Sequence, residues 1–257
     1  EGMKIVVADV VAERVDAAVA ALGAPESVIG VVTDVSSAAS VDALADATWE
    51  RFGGCHLLVN NAGVGAPSAN VWETTPNDWR WVHGVNVMGV AHGVRVFTPA
   101  MLKAAARDPA WRGHIVNTAS MAGLTNPPNM GVYNVSKHAV VSLSETLYQD
   151  LSLVTDQLHA HVLCPFFVPT GIHKSERNRP QAYADPNAKP TRSQLIAQAM
   201  SDKAVTSGRV TAAQVAAKVI DAVRDNGFYI YSHPKALGSV QTRLEDVMQQ
   251  RNPSDPL

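Results

Sequence analysis

The chain has 257 residues, 46% of them apolar and 17% charged, with 21 basic and 23 acidic side chains for a formal net charge of −2. That length suits one α/β domain with a full core, and the composition excludes intrinsic disorder, which needs low hydrophobicity and high charge. Without a basic excess nucleic acid is not an expected partner, and without an apolar run of about 18 residues a membrane is not either.

In chain order, Lys4–Asp9 is a short apolar run rich in β-branched residues and reads as a buried strand. Val11–Leu22 has helical spacing and stops at Gly23. A second strand follows at Val28–Thr33, a helix at Ser37–Phe52 and a third strand at His56–Asn60. Thr75-Pro76-Asn77-Asp78 is a helix start: threonine caps, proline suits the first helical position and the acid complements the dipole. That helix is expected to run to about Ala106. His114–Thr118 is a fourth strand, residues 121–131 a loop, Val132 to about Val154 a helix and Ala160–Cys164 a fifth strand. Residues 166–190 hold four prolines (169, 180, 186 and 190) and read as a long lid loop, continued by a helix from Thr191 to about Ala204. A helix at Thr211–Arg224, a strand at Phe228–Tyr231 and a last helix from about Lys235 complete the pattern. Strands alternating with helices imply βαβ units and a parallel sheet covered on both faces. Ligands then sit at the carboxyl ends of the strands, which directs attention to Asp9, Asp34, Asn60, Ser120 and Pro165.

The strongest chemical signal is Tyr133-Asn134-Val135-Ser136-Lys137. Positions i and i+4 of a helix share a face, so a phenol lies beside an ammonium. A fixed positive charge favours the phenolate and lowers the tyrosine pKa, so the group can exchange a proton with an alcohol or carbonyl oxygen. Ser120 stands at a strand end 13 residues earlier, where its hydroxyl could hold the reacting oxygen or cap a turn. Asn60-Asn61-Ala62-Gly63 follows another strand, and its small residues let a ligand approach the backbone. Asn86 lies inside a helix between Val85 and Val87, where a buried amide needs partners of its own.

Taken together, Asp34-Val35, Asn60-Asn61-Ala62-Gly63, Asn86, Ser120, Tyr133-x-x-x-Lys137 and Pro165-x-x-Val168-x-Thr170 resemble the short-chain dehydrogenases/reductases in order and approximate spacing, over about Lys4 to Tyr231. The resemblance implies a single Rossmann-type domain, a doubly wound parallel sheet, and hydride transfer between a nicotinamide cofactor and an alcohol or ketone. It makes Tyr133 the general acid/base, Lys137 its activator and a ribose ligand, Ser120 the group that positions the substrate oxygen, and Asn86 the support of a relay water. Asp34 and Val35 would flank the adenine. Asn60, Ala62 and Gly63 would line the adenosine side, and Pro165, Val168 and Thr170 the nicotinamide end. Asp9 falls where the family reads the adenosine ribose; its carboxylate repels a 2′-phosphate, and Val10 follows it, so NAD is expected over NADP. The family also implies a homodimer or homotetramer.

Two departures stand out. No cluster of the form T-G-x-x-x-G-x-G precedes Asp9, so a first βα unit of about 30 residues is expected to be absent and the chain to be truncated. Phe166 stands where the family often has glycine, which narrows the pocket. With Phe167 and the lid at 166–204, it points to a small or medium apolar alcohol or ketone, although Lys174, Arg177 and Arg179 leave an anionic substrate open. A catalytically silent cofactor-binding or scaffold protein is the alternative that the missing glycine turn raises, and an epimerase or dehydratase on the same scaffold is another. His159 and His161 read as pointing to opposite sides of a strand start with no third ligand, so no metal is expected. Two cysteines, Cys55 and Cys164, are too few for a disulfide framework, and no basic segment leads into an apolar run at the start; the cytoplasm is the expected compartment.

Overall fold

β-Branched apolar segments form the strands, and capped amphipathic segments form the helices between them. The computed structural model describes residues 2–185 and 189–256; Pro186, one of the lid prolines, lies outside the described residues. The strands are β1 (Ile5–Asp9), β2 (Val28–Val32), β3 (Leu57–Asn60), β4 (Gly113–Thr118), β5 (Leu158–Cys164) and β6 (Tyr229–Tyr231). Between and after them lie the helices α1 (Ala12–Leu22), α2 (Ala38–Phe52), α3 (Pro76–His83), α4 (Gly89–Arg107), α5 (Gly131–Ser152), α6 (Arg192–Thr206), α7 (Ala212–Asp225) and α8 (Leu237–Met248).

All pairings between these strands are parallel, and the six strands form two ladders, β1-β2 and β3-β4-β5-β6. The expected absence of a first βα unit is not borne out. The chain opens on its own β–α–β unit, with β1 and β2 in register from Ile5↔Val28 to Asp9↔Val32. The sheet is nevertheless not continuous: among the described residues β1 has only β2 as a ladder partner and β3 only β4.

The core lies on both faces of β4 and β5. On one face Ile115, Leu158 and Ala160 pack against Val41 and Ala45 of α2, Phe97 and Met101 of α4, and Leu147 and Leu151 of α5. On the other, Val116, Leu163 and Ile230 meet Val215 and Val219 of α7. Full burial of each such side chain stabilises the fold by about 1.5–3 kcal/mol.

Three local expectations need correction. The long helix from Thr75 starts as expected, with Thr75 Oγ1 accepting from the Asp78 amide (3.2 Å) and Asp78 accepting from the Thr75 amide (2.7 Å). It is interrupted, however, by a π-helical turn at Gly84–Met88 around Asn86, marked by the Gly89 amide reaching back five residues to the Gly84 carbonyl. Such turns open a helix to place a functional side chain, and no periodicity announces them. The lid is not structureless: 3₁₀ segments occupy Ile172–Asn178 and Gln181–Tyr183. Finally, residues two apart in a strand share a face, and the rings of His159 and His161 both lie against His114 (5.4 and 5.2 Å between centroids).

Candidate active site

The site gathers at the carboxyl ends of β3, β4 and β5. The Ser120 hydroxyl follows β4, accepts from the Ala122 amide (3.1 Å) and donates to the Pro165 carbonyl beyond β5 (3.4 Å). A second link between those strand ends, Met121 N to Pro165 O at 2.9 Å, holds the two loops together. α5 carries Tyr133 and Lys137 one turn apart on its inner face, the ammonium 5.6 Å from the phenol ring centre. Lys137 is 3% exposed, and its Nζ donates to the Thr118 carbonyl at the end of β4 (2.9 Å).

Burial sets the electrostatics here. It pulls Lys137 down from 10.5 to about 8, against a smaller upward pull from Cys164. It pushes the Tyr133 phenol above its usual value, a rise that the hydrogen bond with Ser120 partly offsets. This corrects the sequence argument, in which the ammonium alone set the direction: in this arrangement desolvation outweighs it.

Asn86 is fully buried, and its amide is spoken for. Oδ1 accepts from the Val64 amide (2.8 Å), while Nδ2 donates to the Val64 carbonyl (3.0 Å) and to Ser136 Oγ (3.1 Å). The π turn aims this side chain, and the side chain in turn clamps the loop after β3 to α5. A Cβ at Gly63 would stand 3.5 Å from both Asn86 Oδ1 and Lys137 Nζ, so the glycine keeps that space open.

Other expected residues are engaged locally. Asn60 donates to Asn117 Oδ1 (2.9 Å), and Asn117 donates to Ser144 Oγ (3.0 Å). Asn117 is Asn60's register partner across β3 and β4, and sequence reasoning passed over both it and Ser144. Asp34 and Asp9 lie on the β1–β2 side. Asp34 accepts from the Ser36 amide and hydroxyl (2.9 and 2.7 Å), and Asp9 from the Val11 amide (2.9 Å). The Val35 carbonyl pairs with His92 (3.0 Å). Ala62 and Thr170 are exposed, and Val168 is buried against α7. The Phe166 amide is fixed by Ser232 Oγ (2.9 Å), and its ring packs on Phe167 (4.5 Å between centroids).

The lid is latched rather than loose. Arg179 pairs with Asp78 of α3 and lies over the Trp81 ring (5.1 Å), both ion partners being about nine-tenths buried. Thr191 and Ser193 donate to Glu73 (2.9 and 2.8 Å), and the Gly65 amide donates to Ser175 Oγ (2.9 Å). Arg177 is bonded to the Gly171 and Lys174 carbonyls. Of Lys174, Arg177 and Arg179, the two arginines thus have structural partners. Among the described residues no His, Cys, Asp or Glu group is arranged to hold a metal, and no helix is long and apolar enough to cross a membrane.

The family model for short chain dehydrogenases matches residues 1–181, so the chain belongs to that family, and the match takes in β1 and α1. A crystal structure of a short chain dehydrogenase/reductase from Burkholderia phymatum in complex with NAD superposes with a TM-score of 0.94 at 54% identity, covering all of this chain and 89% of that one. A CLA biosynthesis dehydrogenase/reductase of Lactiplantibacillus plantarum is 33% identical over 86% of this chain and 76% of its own length. A meso-2,3-butanediol dehydrogenase of Serratia marcescens is 33% identical over 67% of this chain and 64% of its own length.

Proposed function

We propose that this chain transfers a hydride between NAD(H) and a small apolar secondary alcohol or ketone, with Tyr133 as general acid/base. The observation that carries the reading is the cluster of half-buried Ser120 and Tyr133 with buried Lys137 at the strand ends, set beside backbone that Gly63 leaves open.

The residues present fit a nicotinamide dinucleotide. The Gly63 space admits close approach of a ligand to the backbone, and Lys137 commits one of its ammonium donors to Thr118, leaving others for a ribose hydroxyl. Asn60, Ala62 and Gly63 would line the adenosine side, Asp34 and Val35 the adenine, and Pro165, Val168 and Thr170 the nicotinamide end. Asp9 would take the adenosine ribose and repel a 2′-phosphate, which favours NAD over NADP; the complex of the B. phymatum relative with NAD supports this. When bound, the cofactor supplies or accepts the hydride. The chain's own work is protonic. Ser120, held by Ala122 and Pro165, orients the substrate oxygen. Tyr133 as the phenol delivers its proton to a carbonyl oxygen in reduction, and as the phenolate takes one from the hydroxyl in oxidation. Phe166 and Phe167 supply an apolar wall, and the structural duties of Arg177 and Arg179 disfavour an anionic substrate.

The test joins binding to turnover. NAD⁺ should raise the melting temperature more than NADP⁺, and Tyr133→Phe should keep that rise while losing turnover by about 10²–10⁴-fold. A Tyr133→Phe enzyme with undiminished turnover would overturn the assignment.

A further inference from the structure

We propose that the chain carries a second ligand site, for a small tetrahedral oxyanion such as phosphate or sulfate, at the end of the sheet opposite Ser120 and Tyr133. There a cavity of about 390 Å³ is lined by Arg112 and His114 at the start of β4, Asp156 and His159 at the start of β5, and Val223, Arg224 and Asn226 at the end of α7.

The chemistry of the lining is cationic. The positive charge comes from two guanidinium groups, Arg112 and Arg224, beside two imidazoles whose pKa values burial lowers and one carboxylate, Asp156. Arg112 is set in place by bonds from Nη1 to the Pro109 and Trp111 carbonyls (2.8 and 2.7 Å). Arg224 is within 3.8 Å of Asp221 on its own helix. Guanidinium forks match the oxygens of a tetrahedral anion, and fixing one in advance reduces the ordering that binding would cost.

The imidazoles add proton coupling through a hydrogen-bond chain whose polarity can be read. The Gly227 carbonyl can only accept, so His161 Nδ1, 2.8 Å away, carries a hydrogen. Neutral His161 then presents a lone pair at Nε2, and His114 Nδ1, 3.0 Å from it, carries the next hydrogen. That leaves His114 Nε2 as the atom that gains or loses a proton, and it can gain one without breaking the chain. The facing nitrogens of His114 and His161 are used on each other, so the three histidines do not converge on a metal.

The groups around His114 are His159 and His161 of β5, Arg112 before β4, Asp156 before β5 and Arg224 of α7. Burial and the two neighbouring imidazoles hold His114 down at about 4. An anion in the cavity adds negative charge beside His114, so it favours the imidazolium, and a proton is taken up as the anion binds. By linkage, affinity for the anion must rise as pH falls.

Sulfate is the probe, because its own charge does not change in the working range. It is compared with chloride at matched ionic strength, by calorimetry and by the ring NMR signals of His114. Sulfate is expected to bind about tenfold more tightly at pH 5.5 than at pH 7.5 and to raise the His114 titration midpoint, while Arg112→Gln weakens it about tenfold or more. Should Arg112→Gln fold poorly, His159→Gln provides the same comparison, and the wild-type His114 shift stands on its own. Equal responses to sulfate and chloride, or a His114 midpoint that sulfate leaves unmoved, would overturn the site.

Discussion

Lys137 shows what the site costs the protein that holds it. With a folded value near 8 against 10.5 in water, the ammonium is disfavoured by burial wherever both states are charged, that is below pH 8. Between pH 8 and 10.5 the unfolded chain binds more protons than the folded one, so stability rises with pH through that window. The full difference amounts to about 3 kcal/mol, part of which the bond to Thr118 returns. Lys137→Met should therefore melt above wild type at pH 7, and the two curves should converge toward pH 10.5, while turnover is lost. Melting scans across that range check it; a variant less stable at pH 7 would show that the Thr118 bond outweighs the burial cost. Tyr133, Lys137 and Ser120 were legible in the sequence because helical spacing and a strand end place them without further information. Asn117 and Ser144 were not, because their part depends on which residue of β3 faces which residue of β4, a register that only folding reveals.

At the scale of elements, helix starts were readable where side chains declare them, as at Thr75. The π turn at Gly84–Met88 was hidden because its cause is a contact 22 residues away in sequence, Asn86 with Val64. The lid was recognised from its prolines, but its latch joins Arg179 to Asp78, 101 residues apart. Removing one partner of a buried pair leaves an uncompensated charge at a cost of about 3–5 kcal/mol. Arg179→Met should accordingly loosen residues 166–185 more than the rest of the fold. Limited proteolysis checks this: cleavage in the lid should quicken in Arg179→Met and not in Arg177→Met, whose guanidinium holds only local carbonyls. Equal cleavage in the two variants would refute the latch.

For the whole molecule, the alternation of strands and helices was enough to define parallel βαβ architecture, yet no local pattern could say that the strands divide into two ladders. That division has a dynamic consequence. In β4 and β5 most residues are buried, whereas in β1 none is and in β2 only Val28 is. Local opening free energies follow buried contact, and segments sharing few contacts open as separate cooperative units. The backbone amides of β1 and β2 should trade hydrogen for deuterium together and well ahead of those in β4 and β5, through an opening that leaves the larger ladder closed. Exchange at one common rate across both ladders would mean that the protein opens only as a whole. If the two rates separate, the part that carries Asp9 breathes independently of the part that carries Tyr133. Cofactor grip and proton transfer would then rest on units of unequal permanence.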